Sequence, residues 1–157
     1  MKTLKLYLET SVWNFYFADD APEKRDVTRL FFDQIQQGQY DVYVSEVVFR
    51  EFSRASEEKQ TKLLELVARY QPKELEVTEE VLRLARQYLD EVALPERAVD
   101  DAQHAALASI YEMDALISWN LKHLANLKRM EKINGVNLKY GYSKKLEIIT
   151  PMEVAYE

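Results

Sequence analysis

Five short apolar runs, at residues 4–8, 41–44, 75–77, 115–118 and 147–149, alternate with longer stretches of helical periodicity. Strands separated in this way by helix-length segments pair mainly in parallel, and their crossover helices cover the faces of the sheet. The expected class is therefore α/β with a short, mainly parallel sheet. In such sheets ligands gather beyond the carboxyl ends of the strands. Three of those ends carry polar groups: Glu9-Thr10, Ser45, and Ser118 with Asn120.

Local signals place the helices. Leu4, Leu6 and Leu8 alternate with Lys5 and Tyr7, a strand period, and the hydroxyls of Thr10 and Ser11 read as helix caps. Val12 to Phe17 is a bulky apolar patch, followed by a loop at 19–22. A helix over 25–37 puts Val27, Leu30, Phe31 and Ile35 on one face and stops at Gly38. Ser45 caps a helix carrying Glu46 and Glu51, residues 56–70 form an amphipathic helix, and Thr78 opens another that runs to Val92. The stretch 99–124 then begins with paired aspartates. Asp100 is expected as N-cap with Gln103 completing a capping box, which leaves Asp101 in the first turn. Alanines 102, 105, 106 and 108 let this helix lie close to its neighbours. Asn120 reads as the start of a further helix bearing Leu121, Leu124 and Leu127, and 135–143 as a loop.

With 157 residues, 47% of them hydrophobic, and only three glycines and four prolines, the chain suits one folded domain over 1–157. The absence of cysteine excludes disulfides and thiolate zinc sites and fits a reducing compartment. No apolar run approaches the roughly 18–20 residues of a membrane span, and the N-terminus lacks a signal-peptide pattern. The expectation is a soluble cytoplasmic protein with no membrane association. A net charge of −6 argues against indiscriminate nucleic-acid binding. Residues 121–145 nevertheless hold Lys122, Lys128, Arg129, Lys132, Lys139, Lys144 and Lys145 against the single acid Glu131, with Tyr140 and Tyr142 among them. That run reads either as a solvated face or as a rim facing a polyanion.

Glu9, Glu51, Asp101 and Asn120 follow strand ends or open helices, so the topology can bring them together. Crowded carboxylates repel one another unless a cation neutralises them, and oxygen donors favour a hard ion such as Mg²⁺ or Mn²⁺. Such an ion supports phosphodiester hydrolysis. No P-loop or GxGxxG stretch offers a nucleotide site. Each residue also has a plainer role: Glu9 and Glu51 as solvated acids, Asp100 and Asn120 as caps. His104 and His123 each follow a candidate by three residues, on the same helix face. His123 reads as a packed, hydrogen-bonded histidine; His104 fits that reading and a site role equally.

Taken together, YLETSVWNFY at 7–16, YVSEVVFREF at 43–52, VDDAQHAALA at 99–108 and ISWNLKHL at 117–124 resemble the PIN-domain family. The likeness is to the VapC-like ribonuclease toxins of bacterial toxin–antitoxin pairs, in a branch with E-T-S and W-N-x-x-H segments. The resemblance implies a three-layer α/β/α fold of about five strands and Mg²⁺- or Mn²⁺-dependent endoribonuclease activity. It also implies a homodimer and a small antitoxin partner. It maps the metal-binding and catalytic positions to Glu9, Glu51, Asp101 and Asn120, with Thr10, Asp100, His104 and Ser118 around them. Lys122, Lys128 and Arg129 are the candidates for RNA contact. Two positions depart from the family pattern, which has aspartate where Glu9 and Asn120 stand. Those departures motivate the alternative of a non-catalytic RNA- or protein-binding module with a degenerate metal site.

Overall fold

β1 (Leu4–Leu8) takes the centre of the sheet because both of its faces are apolar. Leu6 and Leu8 face one core, and Tyr7, which alternation assigns to a polar face, is fully buried in the other. The structure is a computed structural model that describes residues 2–155. Within those residues β1 pairs in parallel with β2 (Tyr40–Ser45) and β4 (Ala115–Ile117), which pair in turn with β3 (Lys73–Leu75) and β5 (Glu147–Ile149). The resulting order, β3-β2-β1-β4-β5, reverses direction beside β1. The switch point therefore lies where β1 and β4 end, the place at which doubly wound sheets form a crevice.

Helices α1 (Thr10–Phe15), α2 (Pro22–Gln36), α4 (Glu57–Tyr70) and α8 (Pro151–Ala155) cover the face of Leu6, Leu8 and Val44. The opposite face, with Tyr7, Leu116 and Ile148, is covered by α5 (Glu79–Asp90), α6 (Val99–Ile110) and α7 (Leu127–Lys139). α3 (Glu46–Phe52) stands at the strand ends and sends Val47 to one core and Val48 to the other. This is the three-layer α/β/α arrangement that the sequence leads one to expect. Ala102, Ala105, Ala106 and Ala108 are wholly buried, so α6 packs closely enough to hold its N-terminus against the sheet.

Several boundaries differ from the sequence reading, each for a local reason. α2 starts at Pro22 rather than at 25, because proline suits a helix's first position. β3 occupies 73–75 instead of 75–77, in register with Tyr43, Val44 and Ser45. Asp100 is not the cap of α6: Ala98 stands there without a side-chain bond, and the Asp100 carboxylate is taken by two arginines. Asn120 does not begin α7 either. Its carbonyl accepts from Leu124 and Ala125 in a tight turn, and Asn126 caps the helix through the Arg129 N–H at 2.9 Å. The expected loop at 135–143 is helical to Lys139, since Ile133, Val136 and Asn137 continue the buried face past Gly135. Asn126→Ala is expected to lower stability by about 1 kcal/mol, read as a shift of the urea midpoint.

No helix among the described residues is long and apolar enough to cross a membrane.

Candidate metal site at the switch point

Glu9 is fixed before its side chain does anything. Its backbone N–H donates to the Ile117 carbonyl of β4 at 3.1 Å, holding it between the two strand ends. The side chain, only 4% exposed, is the N-cap of α1, a role the sequence assigned to Thr10 and Ser11. Its Oε1 accepts from the Ser11 N–H at 3.1 Å, from the Ser118 hydroxyl at 2.9 Å and from the Ser11 hydroxyl. Thr10 turns the other way and donates to Glu51 Oε1 at 2.6 Å.

Glu51 reaches the same place from α3, whose N-cap is Ser45 as expected. The imidazole of His104, fully buried, holds it through Nε2 at 2.5 Å from Glu51 Oε1. Nδ1 of the same ring is 2.7 Å from the Tyr7 hydroxyl, which is 2.8 Å from Ser45 Oγ. Burial opposes ionisation of Glu51, but the His104 hydrogen bond and charge and the Thr10 hydroxyl outweigh it and lower its pKa. Burial likewise disfavours a charged His104, yet the Glu51 hydrogen bond and the charges of Glu9, Glu51 and Asp101 raise its pKa. A carboxylate only accepts, so Nε2 carries a proton. In the neutral ring Nδ1 then accepts from Tyr7, whose oxygen accepts from Ser45. Burial pushes the Tyr7 hydroxyl far above the usual tyrosine range, keeping it a neutral relay.

Asp101 enters from the first turn of α6. Burial, then the negative charge of Glu9, pushes its carboxyl up to about 6. The side chain it meets is Asn120, whose Nδ2 lies 3.4 Å from Asp101 Oδ2. The Asn120 oxygen accepts from the His123 backbone N–H at 3.0 Å, which fixes the amide's orientation and turns its donor toward the acid. Asn120 thus replaces what would be a fourth like charge with a hydrogen-bond donor.

The three carboxylates share one pattern. Glu9 and Glu51 each use Oε1 for hydrogen bonding and Asp101 uses Oδ2, while no donor among the described residues reaches the other oxygen of each. Ligand atoms of Glu9, Glu51 and His104 lie within 4.8 Å of one another; Asp101 is outside that group and is linked to it by the charge of Glu9 and by the Asn120 amide. Since Nε2 already donates to Glu51, the atoms left for an ion are carboxylate oxygens, a donor set that fits Mg²⁺ or Mn²⁺ rather than zinc.

The remaining sequence candidates fall into place around this cluster. Ser118 is fully buried, donates to Glu9 and accepts from the Asn120 N–H at 2.9 Å. Glu46 is exposed on the first turn of α3. His123 departs from expectation: its Nδ1 is buried without a hydrogen-bond partner. The basic run is largely tied down. Arg129 donates to the Ala93 carbonyl, while Lys139, Lys144 and Lys145 pair with Glu91, Asp114 and Glu147. Tyr140 bonds to α5, and Tyr142 donates to Glu80 there, so neither presents a free hydroxyl edge to a ligand. Lys122 and Lys128 are exposed. Sequence reading missed Tyr7 as a partner of His104, and it missed Arg50 and Arg54. The one available signal for the arginines was their i, i+4 spacing around Glu51.

An open parallel sheet with an acidic cluster at its switch point defines a class of α/β domains. Within that class, the PIN domain family matches residues 6–128, and the chain belongs to that family. Its fold is similar to that of VapBC2 from Rickettsia felis bound to a DNA fragment from its promoter, with a TM-score of 0.57 and 14% identity, covering 94% of this chain and 98% of that one. A member of the VapBC family of toxin–antitoxin systems, VapBC-5 from Mycobacterium tuberculosis, aligns with a TM-score of 0.49 and 19% identity over 93% of this chain and 98% of its own. No curated protein matches the sequence.

Proposed function

We propose that this chain is a divalent-metal-dependent endoribonuclease, the toxin of a pair whose small partner protein restrains it. The observation that carries the reading is the shared pattern of Glu9, Glu51 and Asp101. Three acids from three elements each have one oxygen held by hydrogen bonds and the other left without a donor. Burial, and after it the charge of Glu9, raises the Asp101 pKa, a cost that a nearby cation offsets.

A bound Mg²⁺ or Mn²⁺ supplies charge neutralisation at the scissile phosphate and activation of the attacking water. The protein's part is positioning. Ser11 and Ser118 fix Glu9, Thr10 and His104 fix Glu51, and Asn120 turns its amide toward Asp101. In-line attack by water leaves a 5′-phosphate product in this reading. The second reading, a binding module with a weakened site, draws on Asn120, whose oxygen is committed to His123 and adds no charge.

Calorimetric Mn²⁺ titration combined with cleavage of an end-labelled single-stranded RNA separates the two. Saturable binding with metal-dependent cleavage supports the nuclease; no saturable site at millimolar metal leaves only the binder. Ser118→Ala removes a buried donor from Glu9 and an acceptor from Asn120. It is expected to weaken Mn²⁺ binding by roughly 10-fold, in the range of losses caused by outer partners of metal ligands.

A further inference from the structure

Asp100, expected as a helix cap, joins two guanidinium groups beside the acidic cluster. Arg50 Nη2 donates to Asp100 Oδ1 at 2.7 Å and to Gln103 Oε1 at 2.9 Å, and Arg54 Nη1 donates to Asp100 Oδ2 at 2.6 Å. Both oxygens of Asp100 are thereby used. The other N–H groups of the two arginines meet no acceptor among the described residues, and the side chains are 43% and 61% exposed. Two cations share one anion, which leaves positive charge at the surface. Arg54 and Asp100 each interact electrostatically with Glu51, so this charge borders the acidic cluster.

We infer that Arg50 and Arg54, held in place by Asp100, form a binding site for the phosphodiester backbone of the RNA strand next to the scissile bond. A cluster of carboxylates repels a polyanion, and a strand can lie across it only if nearby cations offset that repulsion. Guanidinium is suited to the task because its planar fork can keep one partner while offering further N–H groups to phosphate oxygens. The sequence assigned RNA contact to Lys122, Lys128 and Arg129; Lys122 and Lys128 are exposed, and Arg129 gives one N–H to the Ala93 carbonyl. Asp100 acts as a positioning residue: it holds the fork and also competes with the phosphate for it.

This inference deepens the nuclease reading and rests on it, but its test uses no metal. Anisotropy of a short labelled single-stranded RNA is followed in EDTA over a range of KCl concentrations. Arg54→Gln is expected to weaken binding by about fivefold and to reduce the slope of log K against log salt by about 0.7, one phosphate contact on a single strand. Asp100→Asn is expected to tighten binding in the parent and to do nothing in an Arg50→Gln/Arg54→Gln background. Opposite signs for Asp100 and Arg54 are not expected of an ion pair that only ties the turn after α3 to α6. Unchanged affinity and slope in Arg54→Gln, or a gain from Asp100→Asn that persists without the arginines, would overturn the inference. Loss of cleavage with this Arg54 dependence intact would count against the nuclease reading alone.

Discussion

Asp101→Asn is expected to abolish metal-dependent RNA cleavage and, at pH 7, to make the metal-free protein more stable. The two effects share one cause. Burial and the charge of Glu9 raise the Asp101 pKa to about 6, against roughly 3.9 for an unfolded aspartate. Between those values the folded state binds more protons than the unfolded state, so this residue's contribution to stability falls as pH rises from about 4 to about 6. Above that window the ionised carboxyl costs the fold about 3 kcal/mol, which asparagine does not incur. Asparagine keeps an oxygen for the Asn120 amide and loses the charge that a cation needs. Urea unfolding at pH 4 and pH 7 checks the first half: the variant should match the parent at the lower pH and exceed it at the higher. Mn²⁺ titration checks the second, with an affinity loss beyond the roughly 100-fold that outer partners of a site typically contribute.

His104→Ala is expected to be the most destabilising single change at the site. It removes a fully buried ring, leaves the Tyr7 hydroxyl without its acceptor and deprives Glu51 of its 2.5 Å donor. Breaking a buried charged hydrogen bond from one side, together with the cavity left behind, costs about 3–5 kcal/mol. Without His104 to orient Glu51, metal affinity is expected to fall by roughly 10- to 100-fold. Tyr7→Phe isolates the outer part of the relay: it keeps the ring in the core and deletes the hydroxyl between His104 and Ser45, at a cost of about 1–3 kcal/mol. Denaturant midpoints with and without Mn²⁺ separate the fold contribution from the site contribution. If His104→Ala bound Mn²⁺ as tightly as the parent, the positioning role assigned to the imidazole would be wrong.

The parts of this architecture legible from sequence are those whose cause is local. The period-2 run at 4–8, the Ser45 and Thr78 caps and the acid after β1 each depend on a few neighbouring residues. Residues whose partners are remote in the chain were harder to read. Asp100 has the residue type and position of a cap, and what redirects it are arginines 46 and 50 residues away. Tyr7 looks like the polar member of an alternating strand, and only helices distant in the chain, packed on both faces of the central strand, bury it. Asn120 and Asn126 are equally good cap residues in isolation. The turn hydrogen bonds of the Asn120 carbonyl and the buried face of α7 select the second. Gly135 suggests a break in that helix, yet nothing lies within 4 Å of the position its Cβ would take, and the buried residues on either side carry the helix through.

The most direct test of the central claim is the anomalous diffraction of crystals soaked in Mn²⁺. A peak is expected at the switch point, contacted by carboxylate oxygens of Glu9, Glu51 and Asp101. Absence of any peak there at millimolar Mn²⁺, or a peak bound without those three acids, would contradict that claim.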